Sequence, residues 1–381
     1  MKFRSAAASF AGTLALILCG SAFAQNVPAQ FVVTGKAAEQ LQDLNTINMG
    51  TAERIADSCE KAATEQGVQI SIMVLDHDGN HVYMDRMDGQ GYLNIITAEM
   101  KARSALIGHE PSKVRMNRDI QDPAHEFEDM QLGISANSGG LPIVVNKQLI
   151  GVVGVGGSAP HPPVWSDEIC GHNALVDVFG AAIPPLGEDI KPRAETGHAP
   201  VARFATSAPP KSVLPADDVV TGKGASNIFD GNQISLAAAK KIARGCRDWA
   251  TAKGGTVSIY VLNNAGEFVH MERMDGQITS NEHSALLKAQ TALKLRQPSS
   301  IRAAQLKNDP GGMPRYAVFF ALYPVAGGVP IVVDGQMIGA LGVGGIGGGE
   351  TDEQCAVAGL TAAFGDRATL PVYPSANGAA N

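Results

Sequence analysis

The sequence predicts an α+β protein that contains two copies of one domain, each an antiparallel sheet flanked by helices. Three observations predict it: a long internal repeat, the same order of helical and strand periodicities in each half, and short turns between strand pairs. Such turns leave no room for the crossover connections that parallel strands need, so a parallel doubly wound sheet is disfavoured.

The internal repeat covers most of the chain. Residues 47–90 match residues 234–277 at an offset of 187, with 20 of 44 positions identical. Residues 139–157 match residues 327–345 at an offset of 188, with 13 of 19 positions identical. Agreement on this scale indicates a tandem duplication with a one-residue length change between the two blocks.

The ends of the repeats predict the domain boundaries. We expect a signal peptide at residues 1–24, because Lys2 and Arg4 precede a short apolar run and Ala22 and Ala24 form a small-residue cleavage site. The first domain then covers 30–183, a proline-rich linker covers 184–216, and the second domain covers 217–371. Residues 372–381 are expected to form a loose tail.

The charge and the leader restrict the class of protein. Loss of Lys2 and Arg4 with the leader changes the 30 basic and 37 acidic residues to 28 and 37, a net charge of −9. An acidic chain without basic runs is not expected to bind nucleic acid or anionic lipid. The leader's apolar run is shorter than the roughly 20 residues of a membrane span, so we predict a periplasmic or secreted protein without stable membrane insertion.

Each copy shows the same order of elements. A helical apolar stripe covers residues 47–63, and two strand-like runs, 69–75 and 81–87, flank a hairpin loop at 76–79. A second helix is predicted over about 94–107, and over 281–295 in the second copy. Two or three strands follow, with Asp334-Gly335 as a hairpin turn, and a final helix begins near 166–168 and 351–353.

Several motifs occur in both copies in this order: R-M-D-G, K-A-x-x-A, G-G-x-P and G-x-x-G-V-x-G. The first copy has them at 86–89, 101–105, 139–142 and 151–157, and the second at 273–276, 288–292, 327–330 and 339–345. Over almost the whole of both domains, the chain therefore resembles the GlcG/HbpS family of haem-binding proteins.

The resemblance implies a profilin-like fold, with an antiparallel five-stranded sheet flanked by helices, present here as two copies in tandem. It implies haem, or a related tetrapyrrole, as the small-molecule ligand. Because the family's units usually oligomerise, it also implies a pseudo-twofold pairing of the two domains and the further expectation of a homo-oligomer.

Two pairs of charged residues are the first candidates for ligand binding. Residues at positions i and i+2 of a strand point to the same face, and this spacing separates Arg86 from Asp88 and Arg273 from Asp275. An arginine oriented by a carboxylate suits a carboxylate or propionate ligand. The alternative is a structural ion pair that closes the turn.

Further candidates lie on the second helix and at the glycine-rich strand end. Lys101 and Lys288 would form an anion pocket, or would instead be solvated. His283 lies five residues before Lys288 and is a candidate haem ligand or an ordinary surface histidine. The glycines suit close approach of a flat ring or of a helix; the candidates among them are Gly156, Gly157, Gly344 and Gly345.

Four cysteines remain after the leader, at matching places in the first and last helices of each copy. The resemblance implies that these helices are neighbours, which would pair Cys59 with Cys170 and Cys246 with Cys355. Disulfides suit an oxidising compartment. The alternative is four buried, reduced cysteines.

Two functions therefore compete. The first is a periplasmic or secreted protein that binds haem or a related tetrapyrrole. The second is an accessory protein or enzyme that acts on a small organic acid in an oxidative catabolic pathway. No nucleophile, base and acid occupy matched positions, so an enzyme is the less favoured class, and the sequence does not define a metal site.

Overall fold

A computed structural model describes residues 27–35, 37, 46–122, 124–135, 137–158, 165–180, 183, 186, 211–227, 231–307 and 312–371. The predicted signal peptide, most of the predicted linker and the predicted C-terminal tail lie outside the described residues.

Both copies contain the same succession of elements. The first copy has α1 (Met49–Glu65), β1 (Ser71–Asp76), β2 (His81–Arg86), α2 (Tyr92–Gly108), α3 (Ser112–Gln121), α4 (Ala124–Gln131), β3 (Gly140–Val145), β4 (Gln148–Gly156) and α5 (Asp167–Phe179). The second has α6 (Leu236–Ala252), β5 (Ser258–Asn263), β6 (Phe268–Arg273), α7 (Thr279–Leu295), α8 (Ser299–Leu306), α9 (Gly312–Phe320), β7 (Gly328–Val333), β8 (Gln336–Gly344) and α10 (Gly349–Phe364).

The strands of both copies form one antiparallel sheet. Within the described residues the strand order is β3-β4-β1-β2-β6-β5-β8-β7, so β2 and β6 join the copies. Met84 lies opposite Met271 at the middle of this junction, with Tyr83 opposite Glu272 and Asp85 opposite His270. We call the β2–β6 junction and the helices over it the seam.

The α+β class and the duplicated antiparallel domain are confirmed, but the strand count differs from the prediction. Each copy contributes four strands to the described sheet instead of five. The extended segment before the first helix forms only an isolated bridge, Val32 with Ile47 and, in the second copy, Val219 with Ile234.

Alternating side chains of the strands face two helical layers. Ile72 and Val74 of β1 pack in the core beneath α1 and α5, whereas Met73 and Leu75 pack beneath α2. The second copy repeats this arrangement, with α6 and α10 on one face and α7 on the other. The seam is therefore covered by helices of both copies on both faces of the sheet.

Four short helices were not expected from the sequence. The structure has α3 and α4 between the second helix and β3, and α8 and α9 at the same place in the second copy. Their sequences carry few core residues; in α3, only Ser112, Lys113 and Asp119 are buried. A helix whose buried face is polar has no apolar stripe, so its periodicity does not reveal it.

Both cysteine pairs implied by the resemblance form disulfides in the structure. Cys59–Cys170 joins α1 to α5 across 111 residues of chain, with a Cα–Cα distance of 5.2 Å. Cys246–Cys355 joins α6 to α10 across 109 residues, with a Cα–Cα distance of 4.7 Å. Each bond therefore ties the first helix of a copy to its last.

None of the helices in the described part of the chain is both long and apolar enough to span a membrane.

Candidate functional site

A surface cavity of about 710 Å³ opens in the second copy between α8 and the first turn of α10. Its volume lies within the roughly 300–1,000 Å³ range of small-molecule sites. Apolar atoms line more of it than polar atoms do. The lining residues are Ser300, Ile301, Ala304, Gln305, Ala326, Glu350, Glu353 and Gln354.

Glu353 forms the buried polar wall of this cavity. The hydroxyl of Ser300 donates to Glu353 Oε1 over 2.7 Å, and the backbone N–H of Gly327 donates to Oε2 over 3.2 Å. Glu353 is only 2% exposed. Glu350 and Gln354, by contrast, are exposed at the rim. The cavity thus combines an inner carboxylate, an apolar side and a polar edge.

Lys288, one of the predicted ligand-binding residues, points inward beside this cavity. Its ammonium donates to Asp352 Oδ2 over 2.6 Å and to the carbonyl oxygen of Val343 over 3.0 Å. Asp352 Oδ1 in turn accepts from the backbone N–H of Ile346 over 3.0 Å. Because Asp352 lies in the first turn of α10, Lys288 fixes the helix that carries Glu350 and Glu353.

Lys101 makes the same contacts in the first copy. Its ammonium donates to Asp167 Oδ2 over 2.7 Å and to the carbonyl oxygen of Val155 over 3.0 Å. Both lysines are buried, so the solvated alternative is wrong for both. That either lysine also contacts a ligand stays a prediction.

The first copy has different residues where the cavity lies in the second. Lys113 occupies the position of Ser300, and its ammonium forms an ion pair with Glu168 at 3.0 Å; both side chains are buried. Counting back from the matching Asp167 and Asp352, the buried Trp165 occupies the position of Glu350. Two large side chains in the first copy thus correspond to a hydroxyl and an exposed carboxylate in the second.

The two predicted arginines lie at the seam and reach across it. Arg86 donates to the carbonyl oxygen of Phe268 over 2.7 Å, and its guanidinium lies 3.2 Å from Glu267. Burial lowers the pKa of Arg86, although Glu267 acts in the opposite direction. The guanidinium of Arg86 therefore has two partners in the second copy.

The second arginine repeats this pattern with a closer carboxylate. Arg273 donates to the carbonyl oxygen of His81 over 2.7 Å and to Asp76 Oδ2 over 2.7 Å. These two acceptors belong to β2 and β1 of the first copy, and a third, the carbonyl oxygen of Gln277, belongs to the second copy. Each arginine thus links its own copy to the other copy. That either arginine also binds a ligand stays a prediction.

Asp88 and Asp275 also act across the seam. Asp88 Oδ1 accepts from the backbone N–H of Leu236, the first residue of α6, over 2.7 Å. Asp275 Oδ1 accepts from the backbone N–H of Met49, the first residue of α1, over 2.8 Å. Burial raises the pKa of both carboxyl groups, and these backbone hydrogen bonds oppose that rise. Each copy therefore places a carboxylate at a helix N-terminus of the other.

The predicted glycines allow a helix to lie directly on the strand end. A Cβ at Gly156 would overlap a backbone carbonyl oxygen of α2, and a Cβ at Gly344 one of α7. Gly157 and Gly345 have φ angles of 106° and 117°, in the region that favours glycine. In the structure the second helix approaches Gly156 and Gly344, and the side chains of Gln90 and Gln277 approach Gly157 and Gly345. Contact of these glycines with a ligand stays a prediction.

His283 lies exposed on α7, whereas at the seam His270 is buried and His81 is partly buried. His270 Nδ1 lies 2.5 Å from Asp85 Oδ1. Burial by itself would lower the pKa of His270, but the charge of Asp85 and hydrogen bonds to Asp85 and Glu272 raise it to about 9. This histidine is thus held as a cation between carboxylates.

On the opposite face of the sheet, His81 is held in the same way. Its Nδ1 lies 3.3 Å from Glu282 and its Nε2 lies 3.2 Å from Glu99. Burial would lower the pKa of His81, but hydrogen bonds to Glu282 and Glu99 raise it to about 9. The hydroxyl of Tyr260 also donates to Glu282.

These seam residues were not predicted as functional. A comparison of the two copies could have indicated them, because these positions hold different residue types in the two copies, such as Tyr83 and His270. A second cavity of about 610 Å³ opens at the seam and is lined by both copies, with Glu60, Asp88 and Lys240 among its lining residues. Among the described residues, no group of three or more His, Cys, Asp or Glu is arranged to hold a metal ion.

The fold defines the class of the protein: an α+β domain with an antiparallel sheet between helical layers, duplicated in one chain. The family model described as "Haem degrading protein HbpS-like" matches residues 47–174 and 234–361, once in each copy. The chain therefore belongs to the HbpS-like family.

Its relatives match one copy at a time. An uncharacterized 15.0 kDa protein in the dhaT-dhaS intergenic region of Citrobacter freundii is 30% identical over 138 residues, 35% of this chain and 93% of that protein. Protein GlcG of Escherichia coli K12 is 32% identical over 110 residues, 29% of this chain and 80% of GlcG. The crystal structure of a double mutant of HbpS from Streptomyces reticuli is 31% identical, covers 39% of this chain and 97% of its own, and has a TM-score of 0.32.

Proposed function

We propose that this chain binds haem or a related tetrapyrrole, and that the ligand occupies the cavity between α8 and α10 of the second copy. The observation that carries the proposal is a cavity of about 710 Å³ in a member of a family named for haem. Ile301, Ala304 and Ala326 offer apolar contact to a flat ring, and such contact supplies most of the affinity in small-molecule sites.

The lining residues do not fit a haem that is held through its iron. Haem iron is usually ligated by His, Cys, Met or Tyr. None of these residue types lines the described cavity, whose polar groups are carboxylates, amides and a hydroxyl. The affinity would therefore come from contact with the ring, and Glu353 would disfavour the propionates at the inner wall, because like charges repel.

Equilibrium titration of the mature protein with haemin and with iron-free protoporphyrin IX tests this. We expect saturable binding of both, with one molecule per chain and affinities within about tenfold of each other, because no lining residue distinguishes the metal. Binding of neither compound, or of two molecules per chain with equal affinity, would contradict the proposal.

The Ser300→Lys variant tests the location. It copies the first copy's own arrangement, in which Lys113 reaches Glu168, so the new ammonium should reach Glu353 and occupy the cavity. We expect at least about a tenfold loss of affinity for both compounds. Ser280→Lys, which adds the same charge at an exposed position of α7, is the matched control and should bind as the unchanged protein does.

A periplasmic or secreted location is part of the same proposal. The predicted leader and the two disulfides support it, because disulfides persist in oxidising compartments. Mass spectrometry of the protein recovered from cell fractions should give a mature N-terminus at Gln25 in the periplasm or medium. A full-length chain that stays in the cytoplasm would contradict this part.

The alternative of an organic-acid ligand has less support from the geometry. It requires a cation that faces an open cavity, whereas each of the four predicted cations contacts a carboxylate of the chain. These contacts are Arg86–Glu267, Arg273–Asp76, Lys101–Asp167 and Lys288–Asp352.

A further inference from the structure

The helices α1 and α6, which flank the seam on one face of the sheet, carry opposite charges at equivalent positions. Glu53 in α1 corresponds to Lys240 in α6, and Glu60 corresponds to Arg247. Between them, Asp57 corresponds to Arg244. The first copy is thus acidic where the second copy is basic, although the two copies share 20 of 44 residues over this region.

These opposite charges meet across the seam. Lys240 donates to Glu60 over 2.9 Å and to Asp57 over 3.1 Å, and Arg247 lies 3.3 Å from Glu53. The position of Glu53 in one copy therefore lies opposite the position of Glu60 in the other, as twofold pairing requires.

A fully buried carboxylate lies at the centre of the cluster. Asp85 of β2 is 2.8 Å from Lys240, which comes from the other copy, and 2.5 Å from His270, also from the other copy. Burial would raise the pKa of Asp85, but the charges of His270 and Lys240 keep it below its usual value. The only cations described in contact with this carboxylate thus come from the second copy.

We infer that each copy carries a surface built for the other copy and against a second copy of itself. Twofold pairing of two first copies would place Glu53 against Glu60 and beside Asp85, with no cation from either side. Pairing of two second copies would place Lys240 against Arg247, so that each Glu272 would face two cations. Like charges brought together in a partly buried site repel each other with little screening by water, which is how interfaces reject wrong partners.

The opposite face of the sheet carries an independent signal of the same kind. Glu282 of the second copy contacts His81 of the first. The hydroxyl of Tyr260 donates a hydrogen bond to Glu282, and Glu99 lies 3.2 Å from His81. At the twofold-equivalent place the corresponding residues are apolar: Ile95, Phe268, Met73 and Leu286. Pairing of two second copies would bury Glu282 against Phe268, and a buried carboxylate without a cation is costly.

The partner that each surface fits is therefore the unlike half, supplied by the same chain or by another copy of the chain. Assembly through β2 and β6 can pair a first half with a second half only. The inference does not depend on the ligand, because none of the seam residues named here lines the cavity between α8 and α10.

Charge exchange in the full-length mature protein tests the inference. One double variant, Lys240→Glu with Arg247→Glu, makes both halves acidic. The other, Glu53→Lys with Glu60→Arg, makes both halves basic. The quadruple variant combines all four changes, which reverses the charges but keeps them complementary; by the twofold relation, Asp85 and Glu272 each regain a cation.

Amide hydrogen exchange in β2 and β6, residues 81–86 and 268–273, is the readout. We expect both double variants to exchange at least about a hundredfold faster than the unchanged protein, since each brings like charges together at the partly buried seam. The quadruple variant should recover to within about tenfold of the unchanged protein. Glu65→Lys, at an exposed position of α1, is the control for net charge and should not change exchange.

Two outcomes would overturn the inference. Unchanged protection of β2 and β6 in either double variant would show that the charges do not discriminate between partners. A quadruple variant no better protected than the double variants would show that complementarity is not what the seam requires. Global unfolding of a double variant leaves the test intact, because recovery in the quadruple variant still decides it.

Discussion

Asp88 of the first copy accepts a hydrogen bond of 2.7 Å from the backbone N–H of Leu236, the residue that begins α6 in the second copy. The carboxylate satisfies one of the unpaired N–H groups of the helix end and lies at the positive end of the helix dipole. Asp275 makes the reciprocal contact with Met49. The R-M-D-G turn of each copy thus caps the first helix of the other copy.

Replacement of these carboxylates should destabilise the seam. We expect Asp88→Ala and Asp275→Ala each to lower the free energy of unfolding by about 1–2 kcal/mol, and the double variant to lose about the sum. Asp88→Asn keeps an acceptor for Leu236 and should lose less. Denaturant unfolding measures all four proteins, and a stability unchanged by both alanine variants would contradict this assignment.

The two seam histidines predict how stability depends on pH. The pKa of His270 is raised to about 9 from a usual 6.5, so the folded protein holds its proton more tightly than the unfolded chain does. The resulting stabilisation is fully present below pH 6.5 and is lost as the pH rises through 9. His81 contributes over the same interval.

The free energy of unfolding should therefore fall between pH 6.5 and 9, by up to about 3 kcal/mol for each histidine. The charged groups that face His270 are Asp85 and Glu272, with Lys240, Glu60 and Arg247 next to them. His270→Gln should reduce the slope, and His283→Gln, which changes an exposed histidine, should not. Equal slopes for all three proteins would refute the assignment.

Removal of either disulfide should cost a similar amount of stability. The loops closed by Cys59–Cys170 and Cys246–Cys355 span 111 and 109 residues, so the entropy that each bond removes from the unfolded chain is nearly equal. We expect each Cys-to-Ala double variant to lose about 2–5 kcal/mol. Thermal unfolding with and without reductant measures this, and a reductant-independent midpoint for the unchanged protein would contradict it.

How much of this structure could be predicted from sequence depends on whether local pattern or pairing between copies determines it. The duplication, the order of helices and hairpins and the α+β class follow from periods of 3.6 and 2 and from turn residues, which act over a few positions. The short helices α3 and α8 were not predicted, because their buried positions include Ser112 and Ser299, which anchor the helices through hydrogen bonds instead of apolar contacts.

The seam could not be predicted from one copy alone. A charged position such as Glu60 resembles an ordinary solvated helix residue until Lys240 of the other copy is placed against it. Likewise, Arg86 and Lys101 were reasonable anion-binding candidates by residue type, but only the three-dimensional structure shows which carboxylate each contacts. The presence of acidic residues in one copy where the other copy has basic residues was the one feature of the sequence that could have predicted the seam contacts.

Variants of the two buried lysines, Lys101 and Lys288, distinguish a structural role of these residues from a role in ligand binding. Lys288→Met and Lys101→Met each leave a buried aspartate, Asp352 or Asp167, without its ammonium partner, so both should lower stability by about 3–5 kcal/mol. Only Lys288 fixes the helix α10 that carries Glu353 and the cavity.

Tetrapyrrole affinity should therefore fall in Lys288→Met and stay within about twofold of the unchanged protein in Lys101→Met, when both are titrated well below their unfolding midpoints. Equal losses of affinity would instead assign both lysines to ligand binding in their own copies, as the sequence pattern predicts. Equal affinity in all three proteins would mean that the first turn of α10 keeps its position without Lys288, because the remaining hydrogen bonds of Glu353 suffice to hold it.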